Sequence, residues 1–171
     1  MKLLRQYIKN LLMESPPGQK RIYRGMTLEM PNASLASQVR KLAKSGPGDH
    51  ARRDTTSRII FGLLGDRGIG ESWTINQSVA ANFADAWGAK NRGKRLHFIF
   101  SATVPDNAGY DPQAAGEEPG MFYDEEEVAF KKGDEIPVTS ISVFIDDGNE
   151  FGKLNLKFRK VWAGPPTMVK A

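Results

Sequence analysis

The chain is expected to fold as a single α+β domain in which a sheet is flanked by helices. Three observations point there. Residues 33–44 and 76–87 carry apolar side chains at helical spacing. Leu96, Phe98, Phe100, Ala102 and Val104 fall on alternate positions of one stretch, the period of a strand. No linker interrupts the 171 residues, so one domain over 1–171 is the natural division.

Taken in order, Leu3, Leu4, Tyr7, Ile8, Leu11 and Leu12 recur at helical spacing, which predicts an amphipathic helix over residues 1–14. As a secretory signal its apolar stretch is broken by Arg5, Gln6, Lys9 and Asn10 and no small-residue cleavage site follows, so a soluble, non-exported protein is expected. Ser15-Pro16-Pro17-Gly18 makes a break, and a short strand over residues 21–26 ends near Gly25. Leu35, Val39 and Leu42 mark a helix that Gly46-Pro47-Gly48 stops. A helical or turn region follows over residues 55–64.

The glycine run Gly65-Asp66-Arg67-Gly68-Ile69-Gly70 lacks the order and the lysine of a phosphate loop, so it is read as a flexible approach to a strand at Ser72-Trp73-Thr74. Asn76 can cap the next helix, whose apolar face is Val79, Ala80, Phe83, Ala84 and Trp87. Residues 105–124, rich in Pro, Gly, Asp and Glu, predict a long exposed loop. Further strands are expected over residues 126–130, 138–145 and 154–162, and residues 164–171 as a tail.

Composition narrows the chemistry. There is no cysteine, which excludes disulfides, thiolate zinc sites and cysteine nucleophiles. His50 and His97 are too far apart for the usual metal-ligand spacings, so no metal is expected. Net charge is +4 and the isoelectric point is near 9.3, which suits acidic partners or nucleic acid. The bases, Lys44, Arg53, Arg159 and Lys160 among them, are scattered without interleaved aromatics, so a solvated surface is favoured over a nucleic-acid stripe. Six of the acids, by contrast, crowd into Glu117 to Glu127. Four in a row, Asp124 to Glu127, repel one another, so at least one carboxyl should titrate high unless cations or hydroxyl donors compensate.

On a strand, residues two apart share a face at roughly 6.6 Å. Ser72 then pairs with Thr74, and Glu125 with Glu127, while Trp73 and Glu126 point the other way. A bulge would shift that phase and bring Glu126 into play. Tyr23-Arg24-Gly25, Ser72-Trp73-Thr74 and Glu125-Glu126-Glu127, in that order, resemble the Arg, Ser-x-Thr/Ser and Glu-x-Glu motifs of the arginine-serine-glutamate mono-ADP-ribosyltransferases. Two departures stand out: Trp73 interrupts the commoner Ser-Thr-Ser, and the strand after Glu127 is short before Lys131-Lys132-Gly133.

The resemblance implies an ADP-ribosyltransferase-like split β-sandwich flanked by helices, and NAD as co-substrate. It also implies roles. Glu127 would hold the ribose 2′-hydroxyl and stabilise the positive charge that develops as nicotinamide leaves, as carboxylates do in glycosidases. Ser72 would orient Glu127, with Thr74 supporting the strand or the nicotinamide pocket. Arg24, beside Gly25, would bind the NAD diphosphate or ribose through its forked donors. Phe83 falls where the family often stacks an aromatic on nicotinamide; a core phenylalanine is the alternative.

Glu125 would orient an arginine acceptor and help deprotonate it. Phe122 and Tyr123, ending the long loop, would contact a protein target, or else plug the core. The expected partners are therefore NAD and a protein with an accessible arginine, with a nucleic-acid or small-molecule acceptor, or NAD hydrolysis, as the alternative. A catalytically silent NAD-cleft module and a structural particle protein are the readings from other classes. A cytoplasmic setting is expected, the host cytoplasm if the protein is phage-encoded.

Overall fold

The computed structural model describes residues 16–45, 48–85, 94–112, 127–145 and 158–171. Its strands are β1 (Gln19–Glu29), β2 (Ser72–Thr74), β3 (Arg95–Pro105), β4 (Glu127–Ala129), β5 (Glu135–Phe144) and β6 (Phe158–Lys170). The helices are α1 (Ala33–Lys44), α2 (His50–Leu64) and α3 (Gln77–Asp85), with one 3₁₀ turn at Gly65–Arg67. Among the described residues all strand pairs are antiparallel, in one six-stranded sheet of order β4-β2-β1-β3-β5-β6. The chain is thus α+β. The expected helix over residues 1–14 lies outside the described residues.

Alternation along β1 and β3 sorts the sheet into two faces. Ile22, Phe98, Phe100, Ala102 and Val104 face the main core, which α1 completes with Ala36, Val39 and Ala43 and α2 with Ile60 and Leu64. Each fully buried Ile, Val or Phe contributes roughly 1.5–3 kcal/mol relative to exposure. Tyr23 and Ile99 project from the opposite face, against Ala80 and Ala81 of α3. Covered on both sides, β3 is buried continuously from Leu96 to Phe100.

Asn32 caps α1 by accepting from the Leu35 amide at 2.8 Å, and Asp49 caps α2 through the Arg52 amide at 3.3 Å. Helix α2 therefore begins ahead of the helical or turn region expected over 55–64. Residues 164–170 are no tail: they complete β6, pairing Thr167 with Val138, Val169 with Ile136 and Lys170 with Glu135. Gly164, Pro165 and Pro166 conceal this strand in the sequence. Pairing passes from Ala163–Ser140 to Thr167–Val138, so these three residues lie opposite Thr139 in an irregular stretch. The sheet order puts β6 at an edge, where a missing amide breaks no ladder. Its far end then crosses to the segment before β2, where the Ile69 amide donates to the Lys170 carbonyl at 2.8 Å.

Arg53, 8% exposed, stitches these parts together. Its guanidinium donates to the carbonyls of Gly48 (3.0 Å), Lys160 (2.9 Å) and Leu42 (3.2 Å). Leu42 and Ser45 close α1, so the cation also meets the negative end of that helix. Replacing Arg53 with Ala is expected to lower the unfolding free energy by about 3 kcal/mol, because each buried acceptor left without a donor costs about 1–3 kcal/mol. Chemical denaturation checks this; a loss under about 1 kcal/mol would show that water replaces the guanidinium.

No helix among the described residues is long and apolar enough to cross a membrane. Nor does any group of three His, Cys, Asp or Glu among them lie in a metal-holding arrangement.

Candidate functional site

The short strand β2 organises the site. It pairs with β4 in the register Ser72–Ala129, Trp73–Val128 and Thr74–Glu127. Ser72, Thr74 and Glu127 therefore share a face, while Trp73 and Val128 are buried in the main core. The Trp73 indole anchors this phase by donating to the Gly70 carbonyl at 3.1 Å. On the open face, the Ser72 hydroxyl donates to Oε1 of Glu127.

Arg24 arrives from β1. That strand meets β2 in a single residue pair, Tyr23 with Thr74, so the sheet narrows to one rung there. The Arg24 side chain reaches across, and its Nη1 donates to the backbone carbonyl of Ser72. Its Nε has no hydrogen-bond partner among the described residues. Burial pushes the guanidinium below its ordinary pKa, and the nearby Glu127 carboxylate partly offsets the shift. An arginine stays cationic at neutral pH even so.

Gly70 makes room for this cation. Its φ is +94°, and a Cβ there would sit 3.0 Å from Nη2 of Arg24. Sequence reasoning gave Gly70 no role in the site. The only signal was a glycine two residues ahead of Ser72.

Three further candidates surround this core. Thr74 is buried and its hydroxyl accepts from the Asn76 amide at 3.0 Å, shaping the turn into α3. Asn76 in turn caps α3, accepting from the Ser78 amide at 3.0 Å. Gly25 lies against that helix: a Cβ would fall 1.7 Å from the Ala80 carbonyl oxygen. Phe83 is 40% exposed on α3, so it is not a core residue.

Arg24, Ser72, Glu127 and Phe83 border one cavity of about 60 Å³, whose walls include Gly25 and Thr74. Glu125, Glu126, Phe122, Tyr123 and Trp87 lie outside the described residues. Of the long loop, Tyr110 is tied to the free side of β4, exchanging backbone hydrogen bonds with Ala129 at 2.9 and 2.8 Å. Two larger clefts, about 790 and 710 Å³, lie elsewhere, beside the end of α1, the start of α2 and part of β6. Volume alone would favour those clefts. At the small cavity a carboxylate bonded to a hydroxyl lies beside a partly buried cation, and such convergence is what a reaction needs.

Chemically, the arrangement presents an oriented carboxylate beside a cation with unused donor capacity. It can accept from a sugar hydroxyl, oppose a developing positive charge and grip a phosphate oxygen. Compared with known proteins, the chain matches no family model, no curated sequence and no solved structure.

Proposed function

We propose that the chain is a NAD-dependent mono-ADP-ribosyltransferase that moves ADP-ribose from NAD to an arginine side chain of a protein and releases nicotinamide. One observation carries this reading. Ser72 holds Glu127 by its hydroxyl and Arg24 by its carbonyl, so the three motif residues meet in one cleft. The narrowing of the sheet between β1 and β2 supports the finer fold, a split β-sandwich of the ADP-ribosyltransferase type.

The residues suit NAD as substrate. Arg24 offers forked donors to the diphosphate, Glu127 an acceptor to the ribose, and Phe83 an exposed ring to nicotinamide. The cavity of about 60 Å³ is about two waters' worth of space, so the cleft must widen for the nicotinamide ribose to enter.

In the reaction, the bond from ribose C1′ to the nicotinamide nitrogen breaks, and nicotinamide leaves with the bonding pair. Glu127 stabilises the positive charge left on the ribose. A guanidinium nitrogen of the target then bonds to C1′ and gives up its proton, a task assigned to Glu125 by the motif resemblance.

Incubation of the protein with adenylate-labelled NAD and a cell lysate tests the proposal. Label transferred to protein is the expected result. Free ADP-ribose alone would mark a glycohydrolase, and label on nucleic acid another acceptor. NAD binding without either product would mark a silent module, and no NAD binding a structural role.

Replacing Arg24 with Lys is expected to weaken NAD binding about tenfold, since a point charge cannot reproduce the fork that serves both ligand and Ser72. Titration calorimetry reads this directly. An unchanged affinity would remove Arg24 from the binding site.

A further inference from the structure

Helix α3 covers part of the sheet face that carries Tyr23, Thr74 and Glu127, and its contact with that face changes character along its length. Under the middle of the helix the contact is apolar, with Ala80 and Ala81 lying on Ile99 and Tyr23. Such contacts set how closely a helix lies, but they fix it weakly along its axis, because apolar attraction has no direction.

Under the last turn the contact is polar. His97 is 2% exposed and is the one polar side chain in the buried run from Leu96 to Phe100 of β3. It stands directly opposite Thr27 of β1, and the two side chains bond, Nδ1 to Oγ1, at 2.9 Å. The Thr27 hydroxyl in turn donates to the carbonyl of Ala84 at 3.4 Å.

Proton counting gives this chain of bonds its direction. A hydroxyl has one proton, and Thr27 directs it at Ala84, so toward His97 it accepts and Nδ1 carries the donated proton. Ala84 lies one residue from the end of α3, where an α-helix leaves its last carbonyls without internal donors. Burying an imidazole among apolar neighbours costs free energy that a Leu or Val at position 97 would not. In return the sheet gains a directional anchor for the helix end.

That anchor bears on the candidate site. Phe83 is the chain neighbour of Ala84, and Phe83 and Ala80 wall the small cavity together with Arg24 and Glu127. A shift of α3 along β1 would carry this wall with it. Ser72 and Glu127, on β2 and β4, keep their own bond and would stay behind.

We infer that Thr27 and His97 are positioning residues, which fix α3 along the sheet and so hold the α3 wall of the cavity where it meets NAD. The role toward NAD rests on the proposed function, whereas the anchor itself does not.

The full chain tests both halves. Replacing Thr27 with Val keeps the side chain's shape and removes the hydroxyl, and Thr27→Ser restores it. Loss of one neutral hydrogen bond shifts an equilibrium about fivefold. Without NAD, the amides of the last turn of α3 should therefore exchange hydrogen about fivefold faster in Thr27→Val, and at the wild-type rate in Thr27→Ser. Nitrogen NMR of the isotope-labelled wild-type imidazole should show Nδ1 protonated. With NAD, KM for nicotinamide release should rise about three- to fivefold in Thr27→Val, because only the fraction with α3 seated binds, while kcat stays within about twofold. Thr27→Ser should recover the wild-type KM.

An Nδ1 without a proton overturns the anchor, as does unchanged exchange in Thr27→Val. A Thr27→Val protein whose helix end loosens but whose KM is unchanged overturns the positioning role, even where its Tm falls, and leaves the proposed function standing. A wild type that neither binds nor cleaves NAD overturns the proposed function and this inference with it. Thr27→Ala, with the same shifts expected, serves if Thr27→Val does not fold.

Discussion

Replacing Glu127 with Gln is expected to slow ADP-ribose transfer about 10³-fold, or about 4 kcal/mol of barrier, with little change in stability. The substitution conserves shape, and the Ser72 hydroxyl can still donate to the amide oxygen. In the proposed reaction, what disappears is the negative charge beside the ribose as nicotinamide departs. A neutral amide can accept a hydrogen bond there, yet it cannot balance a full developing charge. Losing the carboxylate also removes the electrostatic support that Glu127 gives to Arg24. Single-turnover release of labelled nicotinamide measures the effect. A loss under tenfold would assign the central role to another carboxylate, Glu126 being the neighbour that a shifted strand would present. The parallel Glu125→Gln variant should suppress arginine modification and spare much of the NAD cleavage; equal loss of both would merge the two roles.

Replacing Gly25 with Ala is expected to be the most disruptive single methyl in the site. The added carbon would lie 1.7 Å from the Ala80 carbonyl oxygen and 2.7 Å from the Ala84 amide nitrogen, both backbone atoms of α3. Backbone cannot rotate aside as a long side chain can, so the helix must lift from β1. Its contacts with Tyr23 and Ile99 then loosen, and so does the Thr27 hydroxyl bond to the Ala84 carbonyl. Overpacking of this kind costs about 3 kcal/mol or more, which for a chain of this size lowers Tm by roughly 6–12 °C. Phe83 rides on the same helix, so NAD affinity should fall with stability. Gly62 of α2 is the internal control. A Cβ there meets nothing within 4 Å, and Gly62→Ala should stabilise by about 0.5–1 kcal/mol. A Gly25→Ala protein melting within about 2 °C of the parent would show that α3 is not held against β1 in solution.

Local signals carried the pieces of the site and tertiary pairing carried the assembly. The alternation in Ser72-Trp73-Thr74 was visible because one large apolar side chain between two hydroxyls has only one comfortable phase at a core surface. Asn76 showed itself as a cap because capping is a matter of two or three residues. The register that sets Thr74, instead of Ser72, opposite Glu127 had no local signal, since it joins segments 53 residues apart. Nor could spacing show that Arg24 would grip a carbonyl. β6 was half missed because Gly164-Pro165-Pro166 is punctuation almost anywhere except an irregular edge strand. Arg53 looked like one solvated base among many, because the carbonyls that bury it come from α1, β6 and the turn at Gly48. The candidate acceptor-side residues Glu125, Phe122 and Tyr123 lie outside the described residues.

The grip of Arg24 on position 72 has a consequence for how such a site can evolve. Every amino acid carries the same carbonyl, so drift at that position can rewrite the side chain without casting off the cation. Serine there answers to the glutamate alone. A lineage could therefore silence the carboxylate's support while its anion grip survives, leaving an intermediate that still captures ligand and awaits new chemistry.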